Sequence, residues 1–152
     1  MPENNNQNLL PLAGATACQR AVRTWLNTCT ELPSGLTATF ENLPENAVGI
    51  CFATVQAPIY AARYVIGGFR AQYQFQIIYR VLPSDDSDML DAVEKLTDIC
   101  SWCETAAPPV IEGAVNIKIK RTSDVAIIAA YEDGTNDYSA SFSLIWEVFQ
   151  NA

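Results

Sequence analysis

The sequence predicts an α+β fold, an antiparallel or mixed β-sheet with a long central hairpin and two helices packed on one face. Three observations lead there. From Phe69 to Val81 the chain alternates: Phe69, Ala71, Tyr73, Phe75, Ile77, Tyr79 and Val81 fall on one side, Arg70, Gln72, Gln74, Gln76 and Arg80 on the other, and only Ile78 breaks the pattern. Two other stretches repeat apolar residues at helical spacing instead. The strand-like segments are joined by short turn-forming sequences rather than by helices, which favours antiparallel pairing.

Residues 1 to 13, polar and Asn-rich, read as a loose arm ending near Pro11, and 14 to 152 as one domain. From Ala15 onward Cys18, Val22, Trp25, Cys29 and Leu32 form one face of a helix that Pro33-Ser34-Gly35 stops. Leu36 to Phe40 and Val48 to Val55 read as short strands around the turn-like Asn42-Leu43-Pro44-Glu45-Asn46. The apolar run Ile59 to Ile66 is the first arm of the hairpin, and Gly67-Gly68 supplies the positive φ angles of its turn.

Pro83-Ser84-Asp85-Asp86 opens a second helix, with Asp85, Asp86 and Asp88 where the backbone dipole favours negative charge. Its apolar stripe is Met89, Val93, Leu96, Cys100 and Cys103, and Pro108-Pro109 ends it. Val115, Ile117 and Ile119 then alternate with Asn116, Lys118 and Lys120; Val125 to Tyr131 is an apolar strand, Asp133-Gly134 a turn, and Tyr138 to Val148 a last alternating strand. Trp25, Trp102 and Trp146 lie on or beside these stripes and are assigned to the core.

A chain of 152 residues can bury roughly two thirds of its unfolded surface in a single core. Its 17 acidic and 9 basic residues give a net charge of −8, a balance that repels phosphate backbones and disfavours non-specific nucleic-acid binding. Lys118, Lys120 and Arg121 form the one basic cluster. Charged residues make up only 17%, against about 25% in an average soluble domain, which points to surface hidden in an assembly. No stretch approaches the roughly 20 apolar residues of a membrane span, and the start lacks a basic secretory leader, so the expected compartment is the cytoplasm.

Histidine is absent, which removes the commonest general base and most zinc geometries. Cys100-Ser101-Trp102-Cys103 is a C-x-x-C, the spacing of thiol redox sites, but it falls at the end of a helical stripe, where the dipole disfavours a thiolate. Cysteine is also a common core residue, and Cys18 and Cys29 occupy the matching stripe of the first helix. The structural reading is preferred, with a thiol-disulfide enzyme using Cys100 and Cys103 as the rival. The Asp85, Asp86, Asp88 and Asp91 group lacks the glycine and terminal glutamate of a calcium loop and reads as helix capping. No catalytic residue, cofactor or metal site is assigned. The glutamine- and arginine-bearing side of the long strand suits contact with another protein better than bulk water.

The segment Arg63-Tyr64 before a Gly turn, then Arg70-Ala71-Gln72-Tyr73-Gln74-Phe75 and the closing Arg80, resembles the minor capsid or tail-terminator-like proteins of tailed bacteriophages and prophages. Tyr131-Glu132-Asp133-Gly134-Thr135-Asn136-Asp137-Tyr138 and the strand after it are similar to the end of that family, so the resemblance covers roughly residues 15 to 150. It implies a ring, a hexamer by analogy, that caps the tail tube and docks the head-to-tail connector, formed in the bacterial cytoplasm and then carried in the virion tail or neck. A head-completion or tail-tube role on a related fold stays open. The contact residues expected on this reading are Arg63, Arg70, Gln72, Gln74 and Gln76 on the hairpin, with Lys118, Lys120 and Arg121 facing an acidic neighbour or the DNA passage.

Overall fold

A computed structural model describes residues 6–149. The chain runs α1 (Asn6–Leu26), β1 (Ala38–Phe40), β2 (Gly49–Thr54), β3 (Tyr60–Arg63), β4 (Phe69–Val81), α2 (Asp86–Thr105), β5 (Val115–Arg121), β6 (Ala126–Ala130) and β7 (Asn136–Val148). Burial along β4 follows the alternation of its sequence: each odd-numbered residue from Phe69 to Val81 is buried, and each residue between them keeps some exposure. Its main partner is β7, in unbroken antiparallel register from Phe69 opposite Val148 to Val81 opposite Asn136. Both strands are 13 residues long, so β4 shares its rank as longest strand.

The sheet is open and mixed, in the order β1-β2-β4-β7-β5. β2 and β3 line the same edge of β4 one after the other, over Thr54–Gly49 opposite Phe75–Arg80 and over Tyr60–Arg63 opposite Ala71–Phe69. β5 and β6 share the far edge of β7 in the same way. β1 and β2, read from sequence as strands about a turn, pair in parallel, Ala38 opposite Ile50 and Phe40 opposite Phe52.

The hairpin is present with one short arm. β3 holds only four residues and carries a bulge between Tyr60 and Ala62. Val65 and Ile66, expected in the strand, lie fully exposed in the turn, which closes with Tyr64 N–H donating to Gly68 O and Gly67 N–H to Tyr64 O. Gly67 and Gly68 both take positive φ, and a Cβ on Gly68 would sit 2.2 Å from the carbonyl oxygen of Val148. That close approach is open only to glycine.

Both helices pack on the face of the sheet that carries Phe69, Ala71, Tyr73, Phe75 and Ile77. α1 lies against β1 and β4, and α2 against β7, β5 and β4. α1 starts at Asn6, ahead of the expected Ala15, because Leu9, Leu10, Leu12 and Ala13 are strong helix formers. The expected arm is therefore helical over 6–13, while residues 1–5 of it lie outside the described residues. At its other end α1 stops at Leu26 rather than Leu32. Asn27 turns its side-chain amide onto β1, donating to Ala38 O at 3.0 Å and accepting from Ala38 N–H at 2.8 Å, so one side chain pairs both outward groups of an edge residue.

α2 is capped as expected. The Asp85 carboxylate accepts from Asp88 N–H at 2.9 Å, and the Asp88 carboxylate reaches back to Ser84 N–H at 2.9 Å and Ser84 Oγ at 2.6 Å. These bonds hold the Asp88 carboxyl below its usual range. The buried stripe is Ala92, Leu96, Ile99, Cys100 and Cys103; Met89 is exposed and Val93 half-buried, a rotation of the expected face by one residue at its first turns.

Candidate interaction surface

The period of two that buries one side of β4 presents the other side away from both helices. Register then fixes which residues of three strands meet there. Gln72 lies opposite Ile145, and Ile145 opposite Lys118; Gln74 lies opposite Ser143, and Ser143 opposite Lys120; Arg70 lies opposite Glu147. The outer face of β4, β7 and β5 therefore gathers Arg70, Gln72, Gln74, Gln76, Lys118 and Lys120, six of the eight expected contact residues. Arg70, Lys118 and Lys120 are exposed and the three glutamines half-buried.

Arg63 and Arg121 do not belong to that face. Arg63 pairs with Phe69, so it stands on the helix side of the sheet, with its guanidinium 3.9 Å from the centre of the Tyr60 ring. Arg121 pairs with the buried Phe142, and its guanidinium lies 3.6 Å from Glu104 on α2 and 3.5 Å from Asp124. It ties the end of β5 to the helix layer. A one-residue step along a strand reverses the face, and the charge of the Lys118-Ile119-Lys120-Arg121 run gives no sign of that reversal.

Hydrogen bonding on the outer face is uneven. Gln72 donates to Pro58 O at 2.9 Å, and Gln76 accepts from Ser139 Oγ at 2.9 Å. Glu147 accepts from Asn116 Nδ2 at 2.6 Å and from the Tyr64 hydroxyl, and these two bonds, the tyrosine's first, hold its carboxyl below the usual range. Ser143 Oγ, buried between Gln74 and Lys120, has no hydrogen-bond partner.

A cluster at the other end of this face was barely visible in sequence. Arg80 donates to both carboxylate oxygens of Asp137, at 2.7 and 2.8 Å, and to Pro44 O at 3.0 Å. The Tyr131 hydroxyl donates to Asp137 at 3.1 Å, and its ring lies 5.0 Å from the guanidinium. Loop 41–48, β4, β7 and the turn after β6 are joined there. The signal available in sequence was Arg80, closing one motif, and Asp137, inside another.

All five cysteines are free and buried. Burial pushes the thiol of Cys18 up to about 12 and those of Cys51 and Cys100 up to about 11. Burial, and then the neighbouring Cys100 and Cys29, raises Cys103 as well. A redox or nucleophilic thiol needs the opposite shift. Replacing Cys100 and Cys103 together by alanine should lower stability by about 1 kcal/mol per site, the cost of two small cavities. It should leave biological activity at the level set by folding; a stable double mutant that fails in virion assembly or in disulfide exchange would contradict this. Among the described residues no group of three Cys, Asp or Glu side chains is placed to hold a metal ion, and no helix is long and apolar enough to cross a membrane.

No protein-family model matches the chain, and no curated protein does. Among solved structures it is similar to a chain of the virion of a native gene transfer agent particle. The TM-score is 0.54 at 14% identity, and the match covers 89% of this chain and 96% of that one. The two chains share a fold. A second solved chain superposes more loosely, with a TM-score of 0.46 at 13% identity over 93% of this chain and 96% of its own length.

Proposed function

We propose that this protein is a structural virion protein of a tailed phage or prophage, a tail-terminator-like minor capsid component that caps the tail tube and helps join tail to head. The observation that carries the reading is a two-layer domain in the fold of a virion chain, with one sheet face under two helices and the other bearing Arg70, Gln72, Gln74, Lys118 and Lys120. A low charge fraction fits the same account, since assembly hides surface. The action is geometric: copies associate head to tail, the ring closes, and its two rims match the tube and the connector. Assembly takes place in the bacterial cytoplasm, and the product stays in the tail or neck. The raised, buried thiols support a non-catalytic role over a thiol-disulfide enzyme.

Changing Arg70→Glu together with Gln74→Glu tests the face. Both side chains stand on its accessible side, so the melting temperature should stay near that of the wild type. Electron microscopy of tails assembled with this variant should show over-long, uncapped or headless particles. Normal virions would mean that the outer face makes no essential contact.

A further inference from the structure

We propose that the outer sheet face receives the helix layer of a second copy of this chain, with the acidic side of α2 lying over Lys118 and Lys120. The proposal rests on the self-assembling role above and names the partner at that face. Its basis is the distribution of charge over the two layers.

The exposed side of α2 carries Asp86, Asp91, Glu94 and Asp98, none of them held in an ion pair among the described residues. The described side chains of α1, from Thr16 to Leu26, include two charges, the exposed Arg20 and Arg23. The helix layer is thus basic over β1 and β4 and acidic over β7 and β5. The outer side of the sheet carries its exposed cations, Arg70, Lys118 and Lys120, on β4 and β5. Loop 41–48 beside β2, where Pro44 receives Arg80, presents the exposed Glu45, while the Glu41 carboxylate accepts from Thr54 N–H at 3.1 Å.

One translation along the layer normal sets the acidic side of α2 against Lys118 and Lys120. The unpartnered Ser143 Oγ and the half-buried Gln74 lie in the middle of the face, where a covering layer with polar side chains would engage them. Such a contact joins two different surfaces, so it propagates head to tail and closes as a ring when each step adds a rotation. A phosphate backbone fits this face less well, because its three exposed cations stand in a chain of net charge −8.

The test is a charge swap read by sedimentation and light scattering at low salt and high protein concentration. Wild type should assemble and disperse as salt is raised. Lys118→Glu/Lys120→Glu and Asp91→Lys/Asp98→Lys should each weaken association about tenfold or more, since like charges then face each other. Each should keep the wild-type melting temperature, and an equal mixture of the two should assemble. Wild type that stays monomeric, variants that assemble normally, or a mixture that fails to recover would each overturn the proposal. If the lysine variant also yields uncapped tails while the mixture stays apart, the face binds the tube protein or another partner, and the virion role survives without this contact. If its tails are normal, the role assigned to the outer face falls as well.

Discussion

Ile77→Asp should abolish stable folding. Ile77 is fully buried at the middle of β4, between Phe52 on β2 and Ala140 on β7, within the cluster that α1 and α2 cover. An aspartate there has no partner, so it either buries a charge or takes up a proton at the expense of stability, and it also gives up the contacts of the isoleucine. The cost should be about 4 kcal/mol or more, a large part of the 5–15 kcal/mol that holds a typical domain together. The measurements are soluble yield and thermal melting beside Gln74→Glu, whose side chain points the other way from the same strand. Soluble protein melting within about 2 °C of wild type, a shift worth less than roughly 1 kcal/mol at this size, would show that the β4 face is not the core.

The contrast between Ile77 and Gln74 was legible in the sequence because a strand reports its two faces directly, every second residue. The same rule shows the buried side of β7, where Tyr138, Ala140, Phe142, Leu144 and Trp146 are all buried. It stops where a segment ends or bends. Val65 and Ile66 are apolar enough for a strand, but Gly68 must pass against Val148, and the chain turns early to let it. Leu32 continues the helical spacing of α1, yet Asn27 leaves the helix to cap Ala38, a contact between elements that spacing cannot report. Arg63 and Arg121 were grouped with the contact face by charge, and register sends both to the other side. Parallel pairing of β1 with β2 was hidden for the same reason, since a turn-like loop reads as a reversal of direction.

The Arg80–Asp137 pair is the largest feature that pattern reading left out, and Asp137→Ala should expose its weight. The partners are 57 positions apart, and no periodicity links them. Asp137 is only 3% exposed, and its carboxylate takes both guanidinium bonds and the Tyr131 hydroxyl. Removing it leaves the Arg80 guanidinium, raised in pKa chiefly by its hydrogen bond to that carboxylate, with Pro44 O and the face of Tyr131. Breaking a buried pair by deleting one partner costs about 3–5 kcal/mol, and the partial exposure of Arg80 argues for the lower end, about 3 kcal/mol. Melting should fall by about 6–12 °C, with faster hydrogen exchange at Gly49 to Cys51, where loop 41–48 joins β2. Replacing the pair by Arg80→Met and Asp137→Leu should recover most of the loss, because no unpaired charge then remains in the cluster. A single mutant that melts like wild type, or a double mutant worse than the single, would mean that packing around Pro44 and Tyr131 joins the loop to the sheet, and that the ion pair adds nothing to it.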